Sequence, residues 1–530
     1  MSIILRTRGV GRRGRRTPGW AGFTALAALV LAIGPGMAAP GPEAAPDPAA
    51  VAESHGRGAH ARDWPLSNGD LTNTRNVTRT AIDSRTVKDL KVKWRLPLEG
   101  KPTFAGVMAS NPIVVGDTVY LINLDSDVTA VDKETGKVRW KRVFDSPSVG
   151  PNGVAYSHGL LFGTTFTGVF ALDPATGRTV WTRELIPAGQ GGIDVAPHVY
   201  EDTVVVSTVP NTFGKYVPGA MGTIYALDAA TGKERWNFNT IKDGDLWGHP
   251  EINSGGGTWY APALDSHGRL FVTIANPAPL PGTPEYPNGA SRPGPNLYTN
   301  CLLAIDSRTG KLLWYQATAP HDIRDYDLQD PPIVTTTQVN GVRTEVVLAA
   351  GKMGKVFAYR ADNGTPLWTL SVGTHMNDEG PLPDTPTVVM PGILGGVETP
   401  MALSRGRLFV PWVDTPSTLT ATGGLQLPDY SVGRGGLTAA DVSTGKVLWK
   451  RDLPQMALGA ATVANDVVFT STFDGQVFAF DTATGKTLWC DKTPAGIISF
   501  PAISGNTLFV GAGTPGLSGS SQFELIAYSL

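Results

Sequence analysis

Residues 476–489 read QVFAFDTATGKTLW, a short apolar run, an Asp-x-x-Thr-Gly reversal and a second run closed by tryptophan. The first run carries the apolar character of a buried strand. In the reversal Asp481 can hydrogen-bond its own turn and Gly485 supplies a positive φ. The second run returns to Trp489. This is a β-hairpin, half of a four-stranded blade. The same grammar, A-x-D-x-x-T-G-x-x-x-W, recurs as Asp132/Gly136/Trp140, Asp173/Gly177/Trp181, Asp228/Gly232/Trp236, Asp306/Gly310/Trp314, Arg360/Gly364/Trp368 and Asp441/Gly445/Trp449. Random placement of 63 glycines and 13 tryptophans would give only about 1.5 Gly-x-x-x-Trp pairs, against the seven that fall in this repeat.

An eighth copy is split between the chain's two ends. Trp94 closes LKVKW without a preceding A-x-D-x-x-T-G, and the C-terminal LIAYSL begins the motif and stops. Joined, the two termini complete one blade and leave no free sheet edge. The chain therefore reads as all-β, an eight-bladed β-propeller over 63–530 with its ring closed by N- and C-terminal strands. The repeated tryptophans are expected between neighbouring blades. Two long insertions, 237–300 and 369–435, are expected to gather on one face, where function tends to sit.

Composition agrees. Of 530 residues, 63 are Gly and 42 are Pro, hydrophobic residues make 41% and charged ones 17%. A net charge of −2, with no basic block outside the extreme N-terminus, argues against a nucleic-acid partner. That N-terminus holds six arginines in its first 20 residues, then an apolar run from Ala21 to Ile33 and Met37-Ala38-Ala39. The order is that of a secretory signal peptide, 1–39, for a Sec or twin-arginine route. Its apolar run is too short to span a bilayer, so the mature chain is expected to be extracytoplasmic with no transmembrane segment. Removing the six charges leaves −8. Residues 40–62, rich in Ala and Pro, read as a flexible leader. The two cysteines, Cys301 and Cys490, read as buried free thiols, with a disulfide between them as the alternative.

With its repeats and insertions, the chain resembles the pyrroloquinoline quinone (PQQ) dehydrogenases, the quinoprotein alcohol dehydrogenase family, from DWPLSNGDLTNTR at 63–75 to the C-terminus. Four segments carry the family's site motifs in order. Trp259 in SGGGTWYAPALD stands where the family has the tryptophan floor under the quinone, and stacking suits a planar ring. Asn276 in TIANPAP matches the asparagine ligand to the metal, an oxygen donor suited to Ca²⁺. Asp325 in APHDIRDYDLQDPP matches the catalytic aspartate, which is also a metal ligand. Lys352 in LAAGKMGKVFAY matches the cation that hydrogen-bonds the quinone carbonyls.

The resemblance implies an oxidoreductase that takes a small-molecule alcohol, with PQQ and Ca²⁺ or a lanthanide as cofactors. No Cys-x-x-Cys-His occurs, so the electron acceptor is expected to be separate rather than a built-in haem. There are departures. STVPNTFGKY lacks the family's ligand glutamate and offers Asn211. SVGPNGVAY lacks the vicinal cysteines, and Ala109 stands near an early cofactor-contacting glutamate. Asp194 lies near a usual threonine, Glu398 replaces an asparagine, and Arg324 replaces the tryptophan before Asp325. Asp327 resembles an extra acid of some members. The departures keep a second reading open, a non-catalytic extracellular propeller used for binding or assembly.

Overall fold

The computed structural model describes residues 63–530 apart from 104, 188, 213–214 and 427–428. The expected signal peptide and leader lie outside the described residues. Among the described residues, eight blades follow one another, seven of them four-stranded antiparallel sheets and the seventh in order an antiparallel sheet of four strands with a fifth, parallel strand added. Blade 1 is Ile113–Val115, Thr118–Ile122, Val128–Asp132 and Val138–Arg142. Blade 8 takes Ala502–Ser504, Thr507–Ala512 and Glu524–Ser529 from the C-terminus, and its outer strand, Lys91–Pro97, from the N-terminal side. The split repeat is thus joined as the sequence requires.

The pairing register explains the motif. In every blade the tryptophan stands opposite the motif's alanine, from Trp140 on Ala130 to Trp489 on Ala479, and Trp94 on Ala527 in the closing blade. A register shift sits beside each pair. A methyl side chain makes room for the indole, and the bulge turns it out of its own sheet. It then lies on the next blade. Trp94, Trp140, Trp181, Trp236, Trp314, Trp368 and Trp449 each donate their indole N–H, at 2.9–3.2 Å, to a backbone carbonyl in the following blade's strand 3–4 turn. The turn itself is held by the motif's Asp: Asp481 Oδ1 accepts the Thr484 N–H and hydroxyl, both at 2.8 Å.

A second tie crosses the ring from inside. The segment Trp64–Val77 is hydrogen-bonded to the inner strands of six blades. Trp64 bridges Val114, Pro65 accepts from Tyr156, Leu71 from Leu264, Thr72 from Val334, Thr74 from Leu403 and Arg75 from Val463. Asn76–Val77 adds a parallel strand to Thr462–Ala464. Asn73 donates to Ala261, Pro262 and Pro332 carbonyls. The fully buried Arg75 donates to Ala461, Pro501, Ser67, Asn68 and Thr462. Burial lowers its pKa to about 9, and these five acceptors hold it in place of a counter-ion.

This topology puts the strand 3–4 turns on one face and the blade-to-blade connections and strand 2–3 loops on the other. The insertions belong to the second face. Cys301 is buried, but Cys490 is exposed on the outer strand Thr487–Lys492, which corrects the expectation of two buried thiols. Outer strands have a neighbour along one edge only, so side chains such as Thr487 and Cys490 meet solvent.

A Cβ added at Gly485 (φ +67°) would lie 2.7 Å from Trp449 Cε3, whereas one at Gly505 (φ +59°) would meet only Lys133 Nζ at 3.7 Å. We expect Gly505→Ala to cost about 1–2 kcal/mol from backbone conformation alone. Gly485→Ala should cost roughly 2–4 kcal/mol, because the indole must also shift. Denaturant unfolding of both variants checks this, and equal losses would remove the indole from the account.

Candidate active site

The site is built by loops of the second face. Asn276 lies in the long strand 2–3 loop of blade 4, which runs from Arg269–Thr273 to Cys301–Asp306. Asp325 and Asp327 lie between the outer strand Leu312–Ala317 and the inner strand Ile333–Val339. Lys352 sits on the turn between Val342–Gly351 and Lys355–Arg360. Three of the four expected residues meet here. Lys352 Nζ is 2.8 Å from both Asp325 Oδ2 and Asp327 Oδ2. Asp327 Oδ1 accepts the Asn276 backbone N–H at 2.7 Å.

Asp325 owes its direction to a local constraint. Its φ is +65°, a left-handed conformation that a non-glycine residue holds only when its neighbours impose it. The buried Asp322 imposes it here, with Oδ1 accepting Arg324 N–H and Oδ2 accepting Tyr326 N–H, both at 2.8 Å. So Asp322 holds the loop and does not join the Asp325–Asp327 pair. Arg324 turns the other way, donating to the carbonyls of Asn377, Glu379 and Gly380.

Trp259, the fourth expected residue, is partly buried and packs against the cluster of Tyr260, Ala460 and Phe500. Its indole N–H is shielded from solvent with no partner. It makes no hydrogen bond to the Lys352 group. Of the remaining members, Glu398 stood out in the sequence as a departure from the family, whereas Tyr216, Tyr260, Gln329 and Asp330 did not. Tyr216, on the short hairpin Asn211–Thr212/Lys215–Tyr216, donates its hydroxyl to Asn276 Oδ1 at 2.9 Å. That hairpin is where the family glutamate was sought, and a phenol rather than an acid reaches Asn276. Gln329 Nε2 holds Glu398 Oε2 at 2.8 Å, and Tyr260 donates to the Glu398 carbonyl. Asp330 is fully buried with neither carboxylate oxygen partnered, and Glu398 Oε1 is likewise bare. Their place in the HDIRDYDLQD and GGVETP stretches was visible, but their convergence was not.

Three buried carboxylic groups, Asp325, Asp327 and Glu398, thus stand near one ammonium, and Asp330 lies beside Glu398. Burial pushes Asp325 up to about 7, opposed by Lys352 and reinforced by Asp327. Burial does the same to Glu398, also to about 7, with Lys352 again opposing. Asp330 is held well above the carboxylate range by burial and then by Glu398. For Lys352, burial works against its charge, but Asp325, Asp327 and Glu398 outweigh it and hold it well above its usual value.

A surplus of hard oxygen donors suits a hard cation. Among the described residues no group of three His, Cys, Asp or Glu is spaced to hold a metal. The donors are two carboxylates, Asp325 and Asp327, and the Asn276 amide oxygen. Bare oxygens on Asp330 and Glu398 and the unpartnered Trp259 N–H are further polar atoms for a bound group. Asp325, Asp327 and the Asn276 amide oxygen are donors of the kind a hard cation takes.

Comparison with known proteins follows the same line. The β-propeller domain model of the glucose/ethanol/alcohol dehydrogenases that use PQQ matches residues 64–157 and 186–374, just over half of the chain. The chain belongs to the PQQ dehydrogenase family. It is an oxidoreductase of that class. A model of the outer membrane protein assembly factor BamB matches residues 391–521 of this quinoprotein propeller. Among relatives, the putative dehydrogenase XoxF of Paracoccus denitrificans is 27% identical, covering 84% of this chain and 85% of that protein. The quinohemoprotein alcohol dehydrogenase of Comamonas testosteroni is 27% identical over 91% of this chain and 77% of that protein. The crystal structure of the Comamonas enzyme shares the fold, with a TM-score of 0.76 at 23% identity, covering 91% of this chain and 83% of that one.

Asp194 supplies a test of buried charge in the quinoprotein propeller. It is fully buried, Oδ1 accepts from the Ser148 hydroxyl and Val149 N–H, and Oδ2 is bare. Burial raises it to about 6. A folded-state pKa above the unfolded value gives stability that is complete below about pH 4 and lost as pH rises through 6. Asp194→Asn should therefore gain about 2–3 kcal/mol on the parent between pH 4 and 7.5. Unfolding both proteins across that range measures it, and a difference independent of pH would refute the buried charge.

Proposed function

We propose that this chain is an exported, PQQ-dependent dehydrogenase that oxidises an alcohol and passes its electrons to a separate acceptor. The observation that carries the reading is Asp325, turned inward by a left-handed backbone and held 2.8 Å from Lys352 in a buried site. The names of the relatives, several of them alcohol dehydrogenases, support the alcohol. The N-terminal arginines, apolar run and small residues support export. Among the described residues no helix is long and apolar enough to cross a membrane.

When bound, the quinone accepts the hydride equivalent and the cation acts as a Lewis acid on it. The chain's own part is to hold the reactants and move a proton. Asp325 takes the proton of the substrate hydroxyl as general base; burial raises its basicity toward neutrality, where a base works best. Lys352, kept protonated by its acidic neighbours, presents a fixed positive charge to the quinone oxygens. Asn276 and Asp325 would hold the cation, Ca²⁺ or a lanthanide, with Asp327 beside them. Tyr216 fixes the Asn276 amide and so keeps its oxygen turned into the site. Trp259 offers a flat face that fixes the plane of the ring.

The match of residues 391–521 to the BamB model favours a second reading, a propeller used for binding or assembly without catalysis. One set of measurements separates the two. PQQ added with Ca²⁺ or a lanthanide should quench the intrinsic tryptophan fluorescence saturably, and Trp259→Ala should abolish much of that quenching. Asp325→Asn should keep PQQ binding within a few-fold while losing 10²- to 10⁴-fold in alcohol turnover with a dye acceptor. Full turnover in Asp325→Asn sinks the assigned base. Flat fluorescence traces under every metal favour the binding module.

A further inference from the structure

The Asp322–Tyr326 loop has two sides. Asp325 faces the buried site, and the opposite side walls a groove of about 520 Å³ between the 318–326 connection, the turn at Met353 and the 378–381 segment. That is the size of a small-molecule site. Ala319, Pro320, Ile323 and Met353 give it apolar walls.

The charged groups that line it are His321, Asp322, Arg324, Lys355, Asp378 and Glu379, and all but one are accounted for. Asp322 accepts two backbone N–H groups. Asp378 Oδ2 is 2.7 Å from His375 Nδ1. Lys355 Nζ is 3.4 Å from Glu379 Oε1. The ring nitrogens of His321 lie 3.2 and 3.0 Å from the carbonyl oxygens of Gly294 and Asn288. Arg324 is different. It is only 5% exposed, and its Nε and Nη2 donate to three neutral carbonyls at 2.8–3.0 Å. Among the described residues no carboxylate pairs with it and its Nη1 makes no hydrogen bond. A guanidinium is always charged, so a buried cation stands in the groove wall without a counter-ion and with a donor to spare.

We infer that this groove is a binding site for a small molecule with an apolar body and a single carboxylate, the carboxylate taken by Arg324. A guanidinium matches a carboxylate in shape and donors. One uncompensated cation calls for a monoanion, and the acidic rim of Asp378 and Glu379 disfavours higher charge. The body lies on Ile323, Met353 and Ala319. The site goes beyond the dehydrogenase reading and does not need it.

Hexanoate, with hexanamide as its neutral counterpart, tests the site by ligand-observed NMR titration of the purified protein. Hexanoate should bind saturably and at least about 10-fold more tightly than hexanamide. Arg324→Gln should bring hexanoate down to the hexanamide level. Ala319→Phe, which fills the groove and leaves the Arg324 contacts alone, should abolish both. Equal binding of acid and amide, no saturable binding of hexanoate, or unchanged binding in folded Arg324→Gln overturns the assignment. If Arg324→Gln does not fold, the acid–amide pair and Ala319→Phe decide. A kinetic arm identifies the source of the carboxylate. With PQQ-loaded protein, competitive inhibition of 6-hydroxyhexanoate oxidation by hexanoate makes the groove part of the substrate site. Non-competitive inhibition makes it an effector site, and both uphold it. Absence of turnover would show that 6-hydroxyhexanoate is not a substrate and leave the binding result standing.

Discussion

The ring rests on one repeated contact, an indole laid on the turn of the neighbouring blade. Each of these tryptophans is given room by an alanine opposite and turned outward by a bulge, so the indole must be buried by the next blade or not at all. Its N–H is matched by a carbonyl of the same turn, which leaves no buried donor unsatisfied. Trp489 comes last and finds no following turn of this kind, because blade 8 takes its outer strand from the other end of the chain. It meets the Tyr528 ring edge-on instead, at 5.4 Å. The inner tie of Trp64–Val77 touches six blades and holds the ring where closure depends on two distant segments.

Ring geometry then decides what the loops can do. Loops of neighbouring blades emerge on one face and converge, and chemistry-bearing residues far apart in sequence come to share a buried volume. The volume holds more acid than base. Asp325, Asp327 and Glu398 surround Lys352 and Asp330 adds its charge beside Glu398, so neutrality must come from protons or a cation. That imbalance gives the proposed base its raised basicity and gives the proposed cation its site.

A single left-handed residue divides the two sides of the Asp322–Tyr326 loop. With Asp322 bonded to the N–H groups on either side, Asp325 points into the acidic cluster and Arg324 away from it. A buried carboxylate paired with lysine and a buried guanidinium without a counter-ion are therefore consecutive residues. Neither environment is visible in the string IRDY.

The sequence alone determined the architecture. A-x-D-x-x-T-G-x-x-x-W is a local code whose every position answers a local demand: room for the indole, an acceptor for the turn, a positive φ, an inter-blade surface. Seven copies and a split eighth leave one closed solution. The resemblance also marked Trp259, Asn276, Asp325 and Lys352, of which the fold joins Asp325 and Lys352 directly and Asn276 through Asp327. Only the tertiary structure decided the rest. It showed that Tyr216 reaches Asn276, that Asp322 serves its own loop, that Asp330 is buried bare, that Arg324 faces a groove, and that Cys490 is exposed. Burial and pairing are set by which loops of different blades meet, and residues such as Tyr216 and Asn276, or Gln329 and Glu398, lie too far apart along the chain for any local pattern to encode their contact.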